Sequence, residues 1–268
     1  MSSDMDIAEG EILGLTLAEA SAEEDHSVAM EPPGTFRMFG MMGPRKGAGM
    51  GPGMHHLSDC ADITESGEEY PRVIIIDFGE GCEDRRGNIK TGKIIINISD
   101  DMKEEGATRT VTYEDYTVGG NEISGSRTVI NKGINEKGNW IIEWQSDMLI
   151  KKVEEGVEIN RTSNATREWM AGFETAEKSD DSFQITGTGS ITQNGSVTFN
   201  REIIVPLLVD RSCRYILSGQ VELTNEESSM LIDFGDGTCD NTATVTKDGV
   251  TEEIDLTRCK YRGRSKNI

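Results

Sequence analysis

The chain has only three histidines, His26, His55 and His56, and none of its remaining residues after 56 is histidine. That absence removes Ser-His-Asp and Cys-His catalysis, and most imidazole-based metal sites, from everything downstream. No run of 18 apolar residues occurs, so no helix read from the sequence is long enough to span a bilayer. A basic, apolar leader is also missing from the start, which leaves two expectations: a cytosolic chain, or numbering that begins after a removed signal. Bases are scarce relative to acids, 27 against 48, giving a formal net charge of −21. A surface of that sign repels phosphate backbones and anionic lipid, so no nucleic-acid partner is expected and membrane association only through an anchor absent from this chain. Hydrophobic residues make up 35% and aromatics 6%. This is thin for packed helices but adequate for antiparallel sheets with one wet face. Cysteines never fall at Cys-x-x-Cys spacing, which argues against structural zinc.

What the sequence does have is a stretch written twice. Ile74-Ile75-Ile76-Asp77-Phe78-Gly79-Glu80-Gly81-Cys82 returns as Met230-Leu231-Ile232-Asp233-Phe234-Gly235-Asp236-Gly237-Thr238-Cys239. The apolar run reads as a strand, and the Asp-Phe-Gly that ends it (Asp77, Phe78, Gly79; Asp233, Phe234, Gly235) as a tight turn in which glycine takes the positive φ. Each copy has a second cysteine upstream, Cys60 or Cys213, and continues to a glycine, Gly92 or Gly249, read here as the turn into a further strand. The duplicated unit spans residues 60 to 98 and 213 to 256. Four cysteines allow three pairings, and the repeat favours Cys60–Cys82 with Cys213–Cys239. Loops of that size give roughly 3–4 kcal/mol each on the chain-entropy model. The competing reading is four buried free thiols in a cytosolic protein. The pairing implies an oxidising compartment, with Cys259 left over and unpaired.

The flanks differ from the middle. Residues 1–29 are an acidic N-terminal segment, with eight acids and no Lys or Arg between 4 and 29. Ile7, Ile12, Leu15 and Ala18 fall loosely on one helical face, with Asp4 or Asp6 to cap it, whereas Gly10 and Gly14 weaken it. A docked helix and a solvated acidic tail both remain open. Residues 30–58 hold six Met, seven Gly and four Pro and read as a flexible linker. Its Met38, Met41, Met42, Met50, Met54, His55 and His56 offer soft ligands suited to copper, but without a regular spacing. Residues 258–268 form a basic tail. Between these, 59–257 read as one all-β domain, a large antiparallel meander in the form of a sandwich or an open half-barrel. Strands are expected at 93–98, 108–118, 123–130, 139–145, 157–169, 182–190, 196–205, 215–223, 229–234, 242–246 and 250–256, with a hairpin at Gly119-Gly120-Asn121.

Asp-Phe-Gly invites a protein-kinase reading, but the phosphate-covering Gly loop, the strand Lys and the His-Arg-Asp loop are all missing. Calcium is a second thought, since Asp77, Glu80, Glu83 and Asp84 cluster at one turn and Asp233, Asp236 and Asp240 at the other. The spacing matches no established calcium loop, and Asp at turns commonly serves backbone hydrogen bonds. A pair of carboxylates acting on a glycan is a third. No cofactor is expected.

Two resemblances rest on these residues. Phe234 to Thr238 resembles the Phe-Gly-Asp-Gly-Thr turn of PKD-type β-sandwich repeats, over those few positions alone. More extensively, the chain resembles uncharacterised secreted or lipid-anchored envelope proteins of Bacteroidota. The shared features are the Cys60-to-Cys82 opening, Gly92 to Ile96, Gly125 to Val129, Thr166 to Trp169, Ile185 to Gly187, Pro206-Leu207, Ser218-Gly219 and Gly237 to Asn241. That resemblance implies an exported protein of the cell envelope (periplasmic, on the outer-membrane surface, or secreted) and supplies no catalytic residues. The expected function is non-enzymatic binding of another envelope protein or of a glycan. Trp140, Trp144 and Trp169 discriminate: in a wet groove they would stack on sugars, and buried they are core. Hydrolysis by paired acids and metal handling by the Met/His segment are the alternatives.

Overall fold

A computed structural model describes residues 60–256, apart from 68, 84–86, 176 and 196. The acidic segment 1–29, the Met/Gly linker 30–58, Cys259 and the basic tail lie outside the described residues.

The described chain is an all-β meander in a single 14-stranded sheet, with both ends open. The first strands are β1 (Asp62–Glu65), β2 (Arg72–Asp77), β3 (Cys82–Glu83), β4 (Ile89–Ile98) and β5 (Thr108–Val118). The long middle strands are β6 (Asn121–Ile134), β7 (Trp140–Lys152), β8 (Val157–Ala171), β9 (Ser182–Gln193) and β10 (Val197–Asp210). The last are β11 (Ile216–Thr224), β12 (Ser229–Asp236), β13 (Thr242–Lys247) and β14 (Val250–Asp255). Apart from β3, which pairs only with β4, spatial order equals chain order, and every pairing is antiparallel. Short connections between alternating strands dictate that arrangement, because a hairpin can join only antiparallel neighbours.

Period-two alternation sorts the sheet into an apolar and a polar face. In β2, Ile74 and Ile76 are buried, and their cross-strand partners Ile96 and Ile94 lie on the same face. One row runs Ile74, Ile96, Val111, Arg127, Ser146, Ser163, Gly189, Arg201, Leu223, Met230 through successive registers. Its outer members are buried, whereas Arg127, Ser146, Ser163, Gly189 and Arg201 in the middle are only half-buried. Buried side chains from both ends of the sheet belong to one contiguous core.

Both disulfides are present, Cys60–Cys82 and Cys213–Cys239, with Cα separations of 5.5 and 5.8 Å. The duplicated apolar strand is also present in both copies, but only the first Asp-Phe-Gly ends its strand in a turn; the second lies inside β12, at an irregularity in the β11–β12 register. Ile74, Ile76 and Phe78 are buried in one, and Met230, Ile232 and Phe234 in the other.

Gly92 and Gly249 are not equivalent, however. Gly249 closes the β13–β14 hairpin beside Asp248, both at positive φ. Gly92 instead lies within β4 at φ +73°, where the register to β5 shifts and a Cβ would come 2.2 Å from the Asp115 carbonyl oxygen. It is a bulge that brings two backbones together, so β4 starts at Ile89 and not at Lys93. The same device carries Pro206 inside β10. Four residues of β10, 203 to 206, stand against two of β9, so the missing N–H falls where no ladder bond is needed.

The β6–β7 hairpin is fastened to β8. Asn135 and Asn139 donate side-chain N–H bonds of 2.8 Å each to Glu168 Oε1, and Lys137 Nζ is 3.7 Å away. The Asn139 amide, then the Asn135 amide, and to a lesser degree the Lys137 charge hold the Glu168 carboxyl below its ordinary value of 4.5. A depressed folded-state pKa contributes stability that is complete above the unfolded value and is lost as pH falls through the folded one. The melting-temperature difference between wild type and Glu168→Gln should therefore be constant above about pH 5 and shrink as pH falls below about 4.5. A difference that stayed flat down to pH 2 would contradict that role.

Candidate functional site

The polar face of the middle strands carries a groove of about 740 Å³. Cross-strand registers place two rows of side chains along it. The first is Thr128, Gln145, Asn164, Thr188, Glu202 and Glu222, and the second is Ser126, Asp147, Thr162, Ser190, Asn200 and Thr224. Each strand from β6 to β11 contributes two alternate residues, so the groove crosses six strands at right angles. At about 4.8 Å per strand it extends about 24 Å. Every one of these twelve side chains bears a hydroxyl, amide or carboxylate, and none is apolar.

Several groups are already engaged. Thr162 and Ser190 hydroxyls are 2.8 Å apart, Asn160 Nδ2 donates to Asp147 Oδ1 at 2.8 Å, and Ser229 Oγ donates to Glu222 Oε1 at 2.8 Å. Gln145, Asn164, Thr188, Asn200 and Glu202 are exposed and open to a ligand. The charged lining is Asp147, Glu202 and Glu222 against Arg201 alone. Arg201 belongs to the opposite face, where its Nη2 donates to Ser163 Oγ at 3.0 Å. The groove is therefore hydrophilic and net negative. Glu202 and Glu222 are direct cross-strand partners, which sets their Cβ atoms about 4.5–5.5 Å apart.

The tryptophans are elsewhere. Trp144 is buried, and Trp140 and Trp169 are half-buried on the apolar face. Trp169 packs 5.3 Å from Phe183 and Trp140 6.3 Å from Phe173, centroid to centroid. Arg127 and Arg167 lie over the Trp144 ring at 5.8 and 5.7 Å, and Arg167 also over Phe183 at 4.8 Å. This is an arginine–aromatic stack within the apolar face, and none of the tryptophans lines the groove.

The acids of the two Asp-Phe-Gly copies serve their own backbone. Asp77 Oδ1 accepts from the Gly79 N–H and Asp233 Oδ1 from the Gly235 N–H, both at 2.8 Å. Gly79 and Gly235 take φ of +58° and +96°. Asp236 accepts from the N–H and hydroxyl of Thr238, which hold its carboxyl below the ordinary range, and Asp240 accepts the same pair from Thr242. No group of three or more His, Cys, Asp or Glu side chains among the described residues is arranged to hold a metal. Asp77→Asn should cost only about 1–2 kcal/mol, because an amide oxygen still accepts the Gly79 N–H. Asp233→Asn should cost more than Asp77→Asn, since Asp233 Oδ2 also accepts from Gln220 Nε2 at 2.7 Å. A calcium titration of the melting temperature should be flat. A rise abolished by either Asn substitution would establish a calcium site instead.

Compared with protein-family models, with curated proteins and with solved structures, the chain matches none. No helix among the described residues is long and apolar enough to cross a membrane. The two disulfides indicate an oxidising, non-cytoplasmic compartment.

The groove residues were not singled out by the sequence. The only signal was that polar side chains recur at alternate positions of six successive strands.

Proposed function

We propose that this is a non-enzymatic binding protein of the cell envelope that holds an uncharged, hydroxyl-rich glycan chain in the transverse groove. The observation that carries this reading is the lining: twelve hydroxyl, amide and carboxylate side chains on six adjacent strands, with no apolar side chain among them. Such a surface recognises a ligand by many hydrogen bonds, and each good ligand hydroxyl finds both donors and acceptors. A protein partner fits the lining less well, because interface centres are apolar and aromatic. Three carboxylates disfavour phosphorylated, sulfated or uronic-acid chains by like-charge repulsion. Recognition here is by hydrogen bonding and not by stacking, as the tryptophans lie on the other face. The disulfides and the resemblance to exported Bacteroidota proteins support an envelope location.

An array of neutral, amino-bearing and anionic oligosaccharides tests the assignment. Binding confined to neutral or amino-bearing chains is expected. Failure of every neutral chain, or binding of anionic chains alone, would overturn it.

Glu202 opposite Glu222 favours a second reading, a two-carboxylate glycoside hydrolase. Against it, Glu202 is exposed and Glu222 already accepts from the Ser229 hydroxyl, so the pair does not sit in the water-excluded cleft that such chemistry uses. Release of reducing ends from a bound chain, lost in both Glu202→Gln and Glu222→Gln, would establish hydrolysis over simple binding.

A further inference from the structure

We infer that the groove selects a glycan carrying acetamido groups, with Ile204, Val205 and Pro206 at the bulge of β10 as the shelf on which an acetyl methyl rests. The inference rests on the glycan reading and names the substituent that the same site takes. On β10, Glu202 lines the groove, and Ile203 and Leu207 are buried on the apolar face. Regular alternation would put Val205 on the apolar face with them. Instead the register to β11 shifts after Ile203, and Val205 pairs with Gln220, two residues before Glu222 on the polar face. Ile204 and Val205 are accordingly both open to water, 45% and 44% exposed, and Pro206 beside them is exposed too. The bulge is fixed from the neighbouring strand. Gly219 of β11 takes φ +117°, and a Cβ there would come 2.6 Å from the Pro206 carbonyl oxygen.

Adjacent aliphatic side chains held in water on an otherwise hydrophilic face mark a contact site, whereas single ones do not. Their surroundings say what the contact is. Ile204 follows Glu202 by two residues, and Thr188 of β9 is the direct cross-strand partner of Glu202. Thr186 and Thr188 are both exposed on that strand. An aliphatic shelf, a carboxylate and threonine hydroxyls together match a group with a methyl, an N–H donor and a carbonyl acceptor. The methyl covers the shelf, the Glu202 carboxylate accepts the N–H, and a threonine hydroxyl donates to the carbonyl. A plain hydroxyl at that position of the sugar would leave the shelf wet. A deoxy sugar's methyl would cover it but offer Glu202 no donor.

Calorimetry with two tetrasaccharides of the same 1,4 linkage, one of N-acetylglucosamine and one of glucose, tests the inference. The acetylated chain should bind about tenfold more tightly, the lower end for one methyl-sized contact because the shelf is open on one side. Ile204→Thr with Val205→Thr should bring the two affinities to within about twofold of each other. Both substitutions keep a β-branched side chain at an exposed strand position, so the melting temperature should change little. Val205→Thr alone, nearly isosteric, should already reduce the preference. Val153→Thr, at a 59% exposed valine in the β7–β8 turn, should leave it at the wild-type value. Equal affinity of the two chains in the wild type, or a preference that survives the double variant with the fold intact, would overturn the inference. Binding of neither tetrasaccharide while another neutral chain on the array binds would also overturn it and leave the glycan reading standing. Failure of every neutral chain would overturn both.

Discussion

Phe234→Ala should lower stability by about 3–5 kcal/mol, and Phe78→Ala by a similar amount, because each removes a large core aromatic that the surrounding sheet cannot fully refill. Phe234 is 2% exposed and Phe78 4%. Phe78 lies 5.6 Å from the Tyr116 ring, which in turn stacks on Tyr113 at 5.5 Å, so its loss also loosens the β5 end. For a domain of this size the loss corresponds to roughly 6–20 °C in melting temperature. Parity between the two substitutions matters as much as their size. Phe78 directly follows β2 and Phe234 lies within β12, yet both extend a run of buried alternate residues and both precede a glycine whose N–H is held by the aspartate before the phenylalanine. A loss below about 1 kcal/mol at either site would mean that the two copies do not play the same part in the core.

Glu65→Ala should be comparably damaging, at about 3–5 kcal/mol, through a different mechanism. Arg72 is 0% exposed and forms an ion pair with Glu65, whose side chain is 5% exposed. The Tyr70 ring lies 5.5 Å from the guanidinium carbon. Removing the carboxylate takes the Glu65 ion pair away from a guanidinium that is fully buried where β1 meets β2. Replacing both partners with apolar residues, Glu65→Leu with Arg72→Met, should recover most of the loss, since well-packed apolar pairs often equal a buried ion pair. Urea denaturation of the three chains decides this. Equal loss in the single and double variants would assign the effect to packing and not to the lost ion pair.

How much of this was legible in the sequence varied with the distance over which each signal acts. Burial of Ile74, Ile76 and Phe78 follows from a period of two within six residues, and the disulfides from the position of cysteines within a repeat. β1 carries no strand signature, because Asp62-Ile63-Thr64-Glu65 has a single apolar residue. β7 runs on to Lys152 because Ser146-Asp147 interrupts an apolar pattern without ending the strand: in mid-sheet, both faces there are partly wet. Gly92 read as a turn like Gly249 because both need positive φ. Sequence shows that need without telling a hairpin from a bulge. The groove was the least legible feature. Thr128 and Glu222 lie far apart in the chain, and only five accumulated registers bring them onto one row.

Isothermal titration calorimetry with the neutral oligosaccharide that binds best on the array tests the account most directly. Asn164→Arg places a long basic side chain at an exposed central position of the groove. The variant should lose at least about tenfold in affinity, or about 1.4 kcal/mol, while its melting temperature stays close to that of the wild type. Unchanged affinity in Asn164→Arg, with the fold intact, would contradict the groove as the binding site.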